Sequence, residues 1–339
     1  LNERYGGSKI PKVKLININK ESQTEGQIIL SHYLIQAIKK RINNNEQVLI
    51  LHNRRGFSSI TVCQEHDKIL KCENCDIILT FHARLNKLIC HNCHHNYSFS
   101  KYQNTDIRFL GYGTEQLEVH LNELFPKNKI LRMDFDSARS MKKQSNILNK
   151  FKNEKYNILL GTQMIAKGLD FANVTLVLVV NADLGMMIPD FKSHEKMFQL
   201  IYQVIGRAGR SHKKSKAIIQ SYQPNSQMIQ MATNYELKKF YNLQLKNRED
   251  LGYPPFKRLI RIIFSSSNLN ACQNDAIKIF NLLNKQLNQF LIGPLPCPIE
   301  KLSNKSRFHI IIKAPHSKFQ FILKKINDVQ NKKESLISK

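Results

Sequence analysis

The sequence has no apolar run close to the roughly 18 residues that cross a membrane, and no signal peptide at its start. It also has no phosphate-loop pattern, G-x-x-x-x-G-K-[ST], and no acidic D-E-x-H box. ATP hydrolysis needs a phosphate loop and a carboxylate that holds Mg²⁺. We therefore expect a cytoplasmic chain with no membrane partner, and one that does not hydrolyse ATP by itself.

Acidic residues are scarce, because 26 Asp and Glu stand against 52 Lys and Arg and leave a formal net charge of +26. The electrostatic field of such a positive chain favours a nucleic acid or an anionic membrane surface as partner. Lys, Asn and Ile are abundant throughout, as drift toward A/T-rich codons also produces. Part of the positive charge is therefore expected to carry no function.

Five of the seven cysteines lie between residues 63 and 93, which fits metal binding in a reducing compartment better than disulfides. Cys72-x-x-Cys75 and Cys90-x-x-Cys93 form two pairs that are 14 residues apart. Four thiolates complete the tetrahedral coordination of a structural Zn²⁺ and leave no open position for catalysis. We predict one zinc ion on these four cysteines; the alternative is four buried thiols.

Strands and helices alternate on both sides of the cysteine-rich segment, and this alternation predicts a parallel α/β sheet from residue 13 to 222. The expected strands of this part lie at 13–18, 47–52, 107–110, 130–133, 156–160, 174–180 and 217–222. We also expect a helix over 23–43 and a long helix over 225–248. A small α+β domain follows, with strands at 258–265 and 307–313, helices at 269–288 and 316–330, and a turn at Gly293-Pro294.

A helix that runs into a glycine-containing turn is predicted for residues 199–210, Q-L-I-Y-Q-V-I-G-R-A-G-R. Gln203, Arg207 and Arg210 are four and three residues apart, so they share a face. The arginine guanidinium is a planar fork that binds phosphate oxygens in pairs. The pattern indicates a site for a polyanion; the alternative is a solvated basic helix end.

A second candidate segment, residues 161–171, reads G-T-Q-M-I-A-K-G-L-D-F and follows a buried strand. Its hydroxyl and amide side chains are expected near exposed N–H groups at the start of a short helix, where phosphate binds. Asp134 and Asp136 follow another strand and could hold Mg²⁺, although turn residues are the favoured interpretation.

Together these segments resemble the PriA family of primosomal replication-restart helicases. The Q-x-x-G-R-x-G-R pattern is similar to the last helicase motif of superfamily 2, and residues 161–171 resemble motif V of the family nearly residue for residue. Further similar strings are N-R-R-G-F at 53–57, G-x-G-T-E-Q-L-E at 111–118, L-G-Y-P-P-F at 251–256 and G-P-x-P-x-P-I-x-K at 293–301.

The resemblance implies roles for the residues of both segments. Arg207 and Arg210, together with Gln203, would reach the γ-phosphate of ATP that another lobe holds. Thr162 and Gln163, which follow Gly161, would touch the DNA backbone. The residues expected to link this segment to the nucleotide cleft are Lys167, Gly168 and Asp170.

The resemblance also implies a second zinc site, because PriA proteins carry four cysteine pairs and bind two zinc ions. Here the first outer pair has become Cys63-Gln-Glu-His66, and Gln103-Asn-Thr-Asp106 stands where the last pair belongs. Cys63, His66 and Asp106 are competent ligands, whereas Gln103 is a poor one. We expect this outer site to be eroded.

The resemblance therefore predicts a RecA-like helicase lobe with an inserted zinc-ribbon-like module and a small C-terminal α+β domain. The expected limits are 1–57 and 107–224 for the lobe, 58–106 for the insertion and 225–339 for the linker helix and DNA-binding domain. The resemblance begins just after the family's ATP-binding lobe and continues to its C-terminus, so it implies the C-terminal half of an ATP-dependent 3′→5′ helicase. The start at Leu1 instead of Met also indicates a fragment. Implied partners are forked or single-stranded DNA, replication-restart proteins and single-strand-binding proteins. Two alternatives stay open, a non-enzymatic zinc-containing remnant that binds DNA and forks, and a decaying gene.

Overall fold

A computed structural model describes most of the chain, and the segments with described structure are 11–25, 29–52, 60–63, 68–70, 72–73, 79–82, 87–90, 95–98, 107–110, 114–134, 137–138, 140–153, 155–166, 171–186, 190–208, 214–302 and 304–337. The helices within them are α1 Ile18–Glu25, α2 His32–Asn43, α3 Thr114–Leu124, α4 Met141–Lys152, α5 Ser193–Ile205, α6 Gln227–Thr233, α7 Leu237–Asp250, α8 Leu269–Leu287 and α9 Phe319–Ile337. The strands are β1 Lys12–Asn17, β2 Gln47–Leu51, β3 Ile60–Cys63, β4 Lys68–Ile69, β5 Thr80–His82, β6 Lys87–Ile89, β7 Asn96–Ser98, β8 Ile107–Leu110, β9 Ile130–Met133, β10 Ile158–Gly161, β11 Val174–Val179, β12 Lys216–Ser221, β13 Arg258–Ser266, β14 Leu291–Leu302 and β15 Lys305–Ala314.

The expected parallel sheet is confirmed, with six strands in the order β1-β12-β11-β2-β10-β9 and parallel pairing throughout. Every residue of β2, β10 and β11 is buried, as expected for strands covered on both faces. Leu34 of α2 and Leu117 of α3 belong to one core cluster with Ile50 and Leu178. This sheet carries the candidate site at the edge where its strands end.

Strand β8 was expected to resume the parallel sheet, and this expectation was wrong. Its residues pair antiparallel with β3, from Ile60 opposite Leu110 to Cys63 opposite Ile107, in a sheet of order β4-β3-β8. The two strands flank the cysteine-rich segment, so their pairing closes its ends. A second antiparallel sheet inside that segment has the order β5-β6-β7.

Three other local predictions were wrong. The helix expected over 23–43 is interrupted, because α2 begins at His32 with Ser31 as its N-cap, and His32 itself is exposed. The helix expected over 225–248 breaks into α6 and α7 at Tyr235, whose φ is 60°. The turn expected at Gly293-Pro294 is instead a register irregularity inside β14, where Gly293 has a φ of 119°.

The chain divides into two compact units, one formed by residues 1–72, 76–79 and 99–240 and the other by 73–75, 80–98 and 241–339. The second unit contains the predicted α+β domain. Its antiparallel sheet has the order β13-β15-β14, and Leu283 of α8 and Ile322 of α9 pack with Ile310 and Ile312 of β15. Among the described residues, no helix is long and apolar enough to span a bilayer.

Candidate functional site

Polar residues follow the parallel strands at the edge where the carboxyl ends of these strands meet. Asp134 follows β9, Thr162 follows β10, and Asn181 and Asp183 come shortly after β11. Open parallel sheets bind their ligands at this edge. The sheet therefore collects candidate residues from segments that are far apart in the chain.

The Gly161–Thr162 segment packs tightly against the end of β9. A methyl group on Gly161 would lie 2.5 Å from the Met133 carbonyl oxygen and 2.5 Å from Ile165 Cγ2, so only glycine fits there. The Thr162 N–H donates to the same Met133 oxygen at 3.3 Å. Gln163–Ala166 is a four-residue 3₁₀ helix, and its Ile165 N–H donates to the Thr162 carbonyl at 3.1 Å.

The Thr162 N–H donates to the Met133 carbonyl, so it is not one of the N–H groups that could bind phosphate. Thr162 is largely buried and Gln163 is half-buried. The roles expected for these two residues stay predictions. Lys167, Gly168 and Asp170 lie outside the described residues.

Asp134 stabilises the neighbouring turn. Its carboxylate accepts hydrogen bonds from Thr114 Oγ1 at 2.9 Å and from the Ser137 N–H at 2.8 Å, and Arg132 Nε lies 3.4 Å away. Burial opposes ionisation, but these hydrogen bonds and Arg132 outweigh it and lower the pKa of the carboxyl. The partners support the turn interpretation over a Mg²⁺ ligand; Asp136 lies outside the described residues.

Asp183 received no role from the sequence, and the structure places it in a buried polar network. It is fully buried and accepts from Ser221 Oγ at 3.0 Å and from the Tyr222 N–H at 2.8 Å. Burial raises the pKa of its carboxyl to about 6. An acidic residue shortly after a predominantly apolar strand was the signal that could have revealed it. The network joins the ends of β11 and β12.

The candidate arginine segment is confirmed as a helix followed by a turn. Helix α5 ends at Ile205, and the turn continues with the Arg207 N–H donating to the Val204 carbonyl at 3.0 Å. Gln203 is exposed and Arg207 is half-buried. Arg207 therefore lies just past the end of the helix, in the turn. Arg210 lies outside the described residues.

Helix α5 packs against both β11 and the 3₁₀ helix Gln163–Ala166. The fold therefore brings the segment that carries Gln203 and Arg207 next to the segment that carries Thr162 and Gln163. These two segments are about 40 residues apart in sequence.

Two of the candidate zinc ligands, Cys72 and Cys90, lie among the described residues. Cys90 follows β6, is fully buried and donates its N–H to the His95 carbonyl at 3.0 Å. Cys72 is also buried, and the N–H of the next residue, Glu73, donates to the Tyr97 hydroxyl at 2.9 Å. Buried thiols suit a structural metal. Cys75, Cys93, His66 and Asp106 lie outside the described residues, as does the Cys63 side chain, so the two zinc predictions stay predictions.

Three family models match the chain. They are the helicase conserved C-terminal domain over residues 89–212, the PriA DNA helicase Cys-rich region domain over 72–96, and the primosomal protein N C-terminal domain over 249–338. The chain is also 36% identical over 325 residues to the replication restart protein PriA of Chlamydia pneumoniae, with 93% of this chain and 43% of that protein covered.

The Bacillus subtilis replication restart protein PriA is 34% identical over 333 residues, with 96% of this chain and 41% of that protein covered. The Borreliella burgdorferi protein of the same name is 35% identical over 317 residues, with 92% and 47% covered. The chain thus spans less than half the length of these relatives. From the matches to the cysteine-rich region, the helicase domain and the C-terminal domain, we conclude that the chain belongs to the PriA family of replication restart proteins and corresponds to their C-terminal part.

Proposed function

We propose that the chain supplies the second motor lobe, the zinc module and the C-terminal DNA-binding domain of an ATP-driven 3′→5′ DNA helicase that restarts stalled replication forks. The observation that carries the proposal is the packing of α5 against the 3₁₀ helix Gln163–Ala166. It joins the arginine segment to the segment that the family resemblance assigns to DNA. A helicase needs this link between its ATP site and its DNA-binding site.

In this proposal, Arg207 and Arg210 neutralise negative charge on the γ-phosphate of ATP, and Gln203 assists from helix α5. ATP bound on another lobe supplies the free energy for movement, since this sequence has no phosphate loop and no acidic box. A half-buried arginine such as Arg207 is screened less by water than an exposed one, which strengthens its attraction for phosphate.

The DNA backbone would be held by Thr162 and Gln163 on one side, with Gly161 keeping the loop close to β9. Lys167, Gly168 and Asp170 would connect this grip to the nucleotide cleft. The partners are forked or single-stranded DNA, with replication-restart and single-strand-binding proteins, in the cytoplasm. The net charge of +26 supports the polyanion part of this proposal.

Zinc has a structural role in the proposal. Cys72, Cys75, Cys90 and Cys93 would hold one ion, and Cys63, His66 and Asp106 would be the remains of a second site. Elemental analysis of the purified chain is expected to return one tightly held zinc ion per chain. Two such ions would contradict the erosion of the outer site, and replacement of Cys90 by Ser is expected to release the single ion.

The motor assignment is tested by ATP hydrolysis, with the chain alone and with the chain fused behind the amino-terminal part of the Bacillus subtilis relative. The chain alone is expected to show no DNA-stimulated hydrolysis, whereas the fusion hydrolyses ATP. In the fusion, Arg207→Ala is expected to lower kcat by about 100-fold or more, because an arginine finger is worth about 10³–10⁵ in kcat in GTPases.

Lys196→Ala is the control, since Lys196 is an exposed cation of α5 that pairs with Asp190 and lies outside the arginine turn. It is expected to hydrolyse ATP like the parent fusion. Equal activity of the two variants would contradict the role of Arg207. A fusion that binds DNA but never hydrolyses ATP would favour the non-enzymatic alternative.

A further inference from the structure

Four aromatic side chains connect helix α5, which leads into the turn with Arg207, to α7 and to the break between α6 and α7. Phe198 and Tyr202 are four residues apart on α5 and share a face. Phe198 stacks on Phe240 of α7 with ring centroids 3.8 Å apart and planes 6° apart. Tyr202 meets Tyr235 edge to face, with centroids 5.4 Å apart and planes at 72°. We refer to these four rings as the aromatic quartet.

Tyr235 adopts a backbone conformation that the residue itself disfavours. Its φ is 60°, which is unusual for a bulky residue and more often found at Gly or Asn. The conformation breaks what the sequence predicted as one helix over 225–248. Strained residues persist where the surroundings over-determine them, and they concentrate at functional sites. Here the break directs the Tyr235 ring onto Tyr202.

The residues with the candidate chemistry lie close to the aromatic quartet along the chain. Gln203 follows Tyr202 directly, and the turn with Arg207 begins when α5 ends at Ile205. The amino end of the helix has no side-chain cap, because Lys192 makes no capping hydrogen bond. Phe198 and Phe240 are both fully buried. The orientation of α5 therefore depends on packing, with the 3₁₀ helix Gln163–Ala166 and the aromatic quartet as two of its supports.

We infer that Tyr235 and Phe240 are positioning residues for Arg207. They act through Tyr202 and Phe198 of helix α5, which leads into the turn with Arg207. The inference rests on the proposed function, since it assumes that Arg207 stabilises the transition state. A displacement of about 1 Å at a reacting group can lower a rate on the order of 100-fold. The quartet holds α5 at the register and tilt that the arginine needs.

The test measures DNA-stimulated ATP hydrolysis and thermal unfolding in the same fusion. Tyr235→Asn removes the ring and accepts the left-handed backbone, so the fold is expected to survive. Phe240→Leu keeps an apolar side chain but removes the stacking. Both variants are expected to lower kcat by about tenfold or more, with the KM for ATP changed by less than about twofold, because binding and transition-state stabilisation separate in this way.

Two controls separate positioning from stability. Phe125→Leu is a matched change of a buried phenylalanine in the core beside α2 and α3, and it is expected to lower the unfolding temperature without lowering kcat. Tyr202→Phe keeps the ring and is expected to retain kcat, whereas Tyr202→Ala is expected to lose it as Tyr235→Asn does.

The outcomes separate a failure of the positioning role from a failure of the proposed function. If Arg207→Ala lowers kcat while Tyr235→Asn and Phe240→Leu do not, the positioning role is wrong and the proposed function stands. If Phe240→Leu and Phe125→Leu lower kcat alike at equal loss of stability, the quartet is only structural and the inference fails. If Arg207→Ala itself leaves kcat unchanged, the failure lies in the proposed function.

Discussion

At the scale of single residues, two positions show how little the structure around the site tolerates: one has no room for a Cβ atom, and the other buries a carboxyl group. Gly161 and Asp183 are the clearest cases, and neither owes its role to local sequence propensity. Gly161 is required because the Met133 carbonyl and the Ile165 side chain leave no room for Cβ. Asp183 is buried among hydrogen-bond donors that come from the end of another strand.

Replacing Gly161 by Ala is expected to lower the free energy of unfolding by about 1 to 3 kcal/mol, since the added methyl group must separate β9 from the 3₁₀ helix. Urea unfolding of the chain measures this. Gly206→Ala is the control, because Gly206 has a helical backbone with φ of −62° and ψ of −14°. An equal, small effect of both changes would contradict the close packing at Gly161.

Asp183 predicts a defined dependence of stability on pH. Its pKa in the folded chain is raised from 3.8 to about 6 by burial, so the folded state binds this proton more tightly than the unfolded state. Its contribution to stability is therefore present in full below about pH 4 and is lost as the pH rises through 6. Asp183→Asn removes the titration.

The free energy of unfolding is therefore expected to fall in the parent chain, relative to Asp183→Asn, between pH 4 and pH 7. The size of this relative loss is on the order of 2 kcal/mol, because each pKa unit corresponds to about 1.4 kcal/mol. Urea titrations at several pH values give the difference directly. A difference between the two chains that stays constant over this pH range would show that Asp183 does not carry the effect.

At the scale of elements, the N-cap of helix α8 fixes where that helix starts, close to the first residue that it buries. The side chain of Asn268 accepts a hydrogen bond from the Ala271 N–H at 3.1 Å and so caps α8. Helix α8 then supplies four buried residues, Cys272, Ala276, Leu283 and Leu287. The cap and the first buried residue lie within one helical turn.

Asn268→Ala is expected to lower the free energy of unfolding of the second unit by about 1 kcal/mol, the usual cost of a lost N-cap. Asn268→Asp keeps an acceptor and is expected to stay close to the parent. Asn270→Ala, an exposed position in the same turn, serves as control. If Asn270→Ala costs as much as Asn268→Ala in urea unfolding, capping is not the cause.

At the scale of the whole molecule, three arginines of the C-terminal sheet lie on two different faces of that sheet. Arg261 of β13 and Arg307 of β15 lie on the face opposite α8 and α9, because the alternate residues Ile262, Ile310 and Ile312 pack against those helices. Arg258 lies on the helix side, with its guanidinium 4.4 Å from the centroid of the Phe319 ring. The arginines of this domain are therefore not equivalent as contacts for DNA.

This division predicts which arginines contribute to the salt dependence of DNA binding. In a plot of log K against log salt, Arg261→Ala with Arg307→Ala is expected to reduce the slope by about 2, roughly 0.9 for each lost phosphate contact. Arg258→Ala is expected to leave the slope unchanged. Fluorescence anisotropy with labelled forked DNA measures all three chains. Equal slopes for the double variant and the parent would show that the face with Arg261 and Arg307 does not contact DNA phosphates.

The sequence alone determined the parallel α/β lobe, the cysteine pairs, the C-terminal α+β domain and the two candidate segments, because these depend on spacing within a short stretch. Only the tertiary structure decided that β8 pairs with β3, that the Thr162 N–H is used by β9, and that Tyr235 breaks a helix to meet Tyr202. Local spacing specifies which face of an element is apolar but not which distant segment covers it. The partner is selected by burial and hydrogen bonding between segments far apart in the chain, and the position of Arg207 depends on that selection.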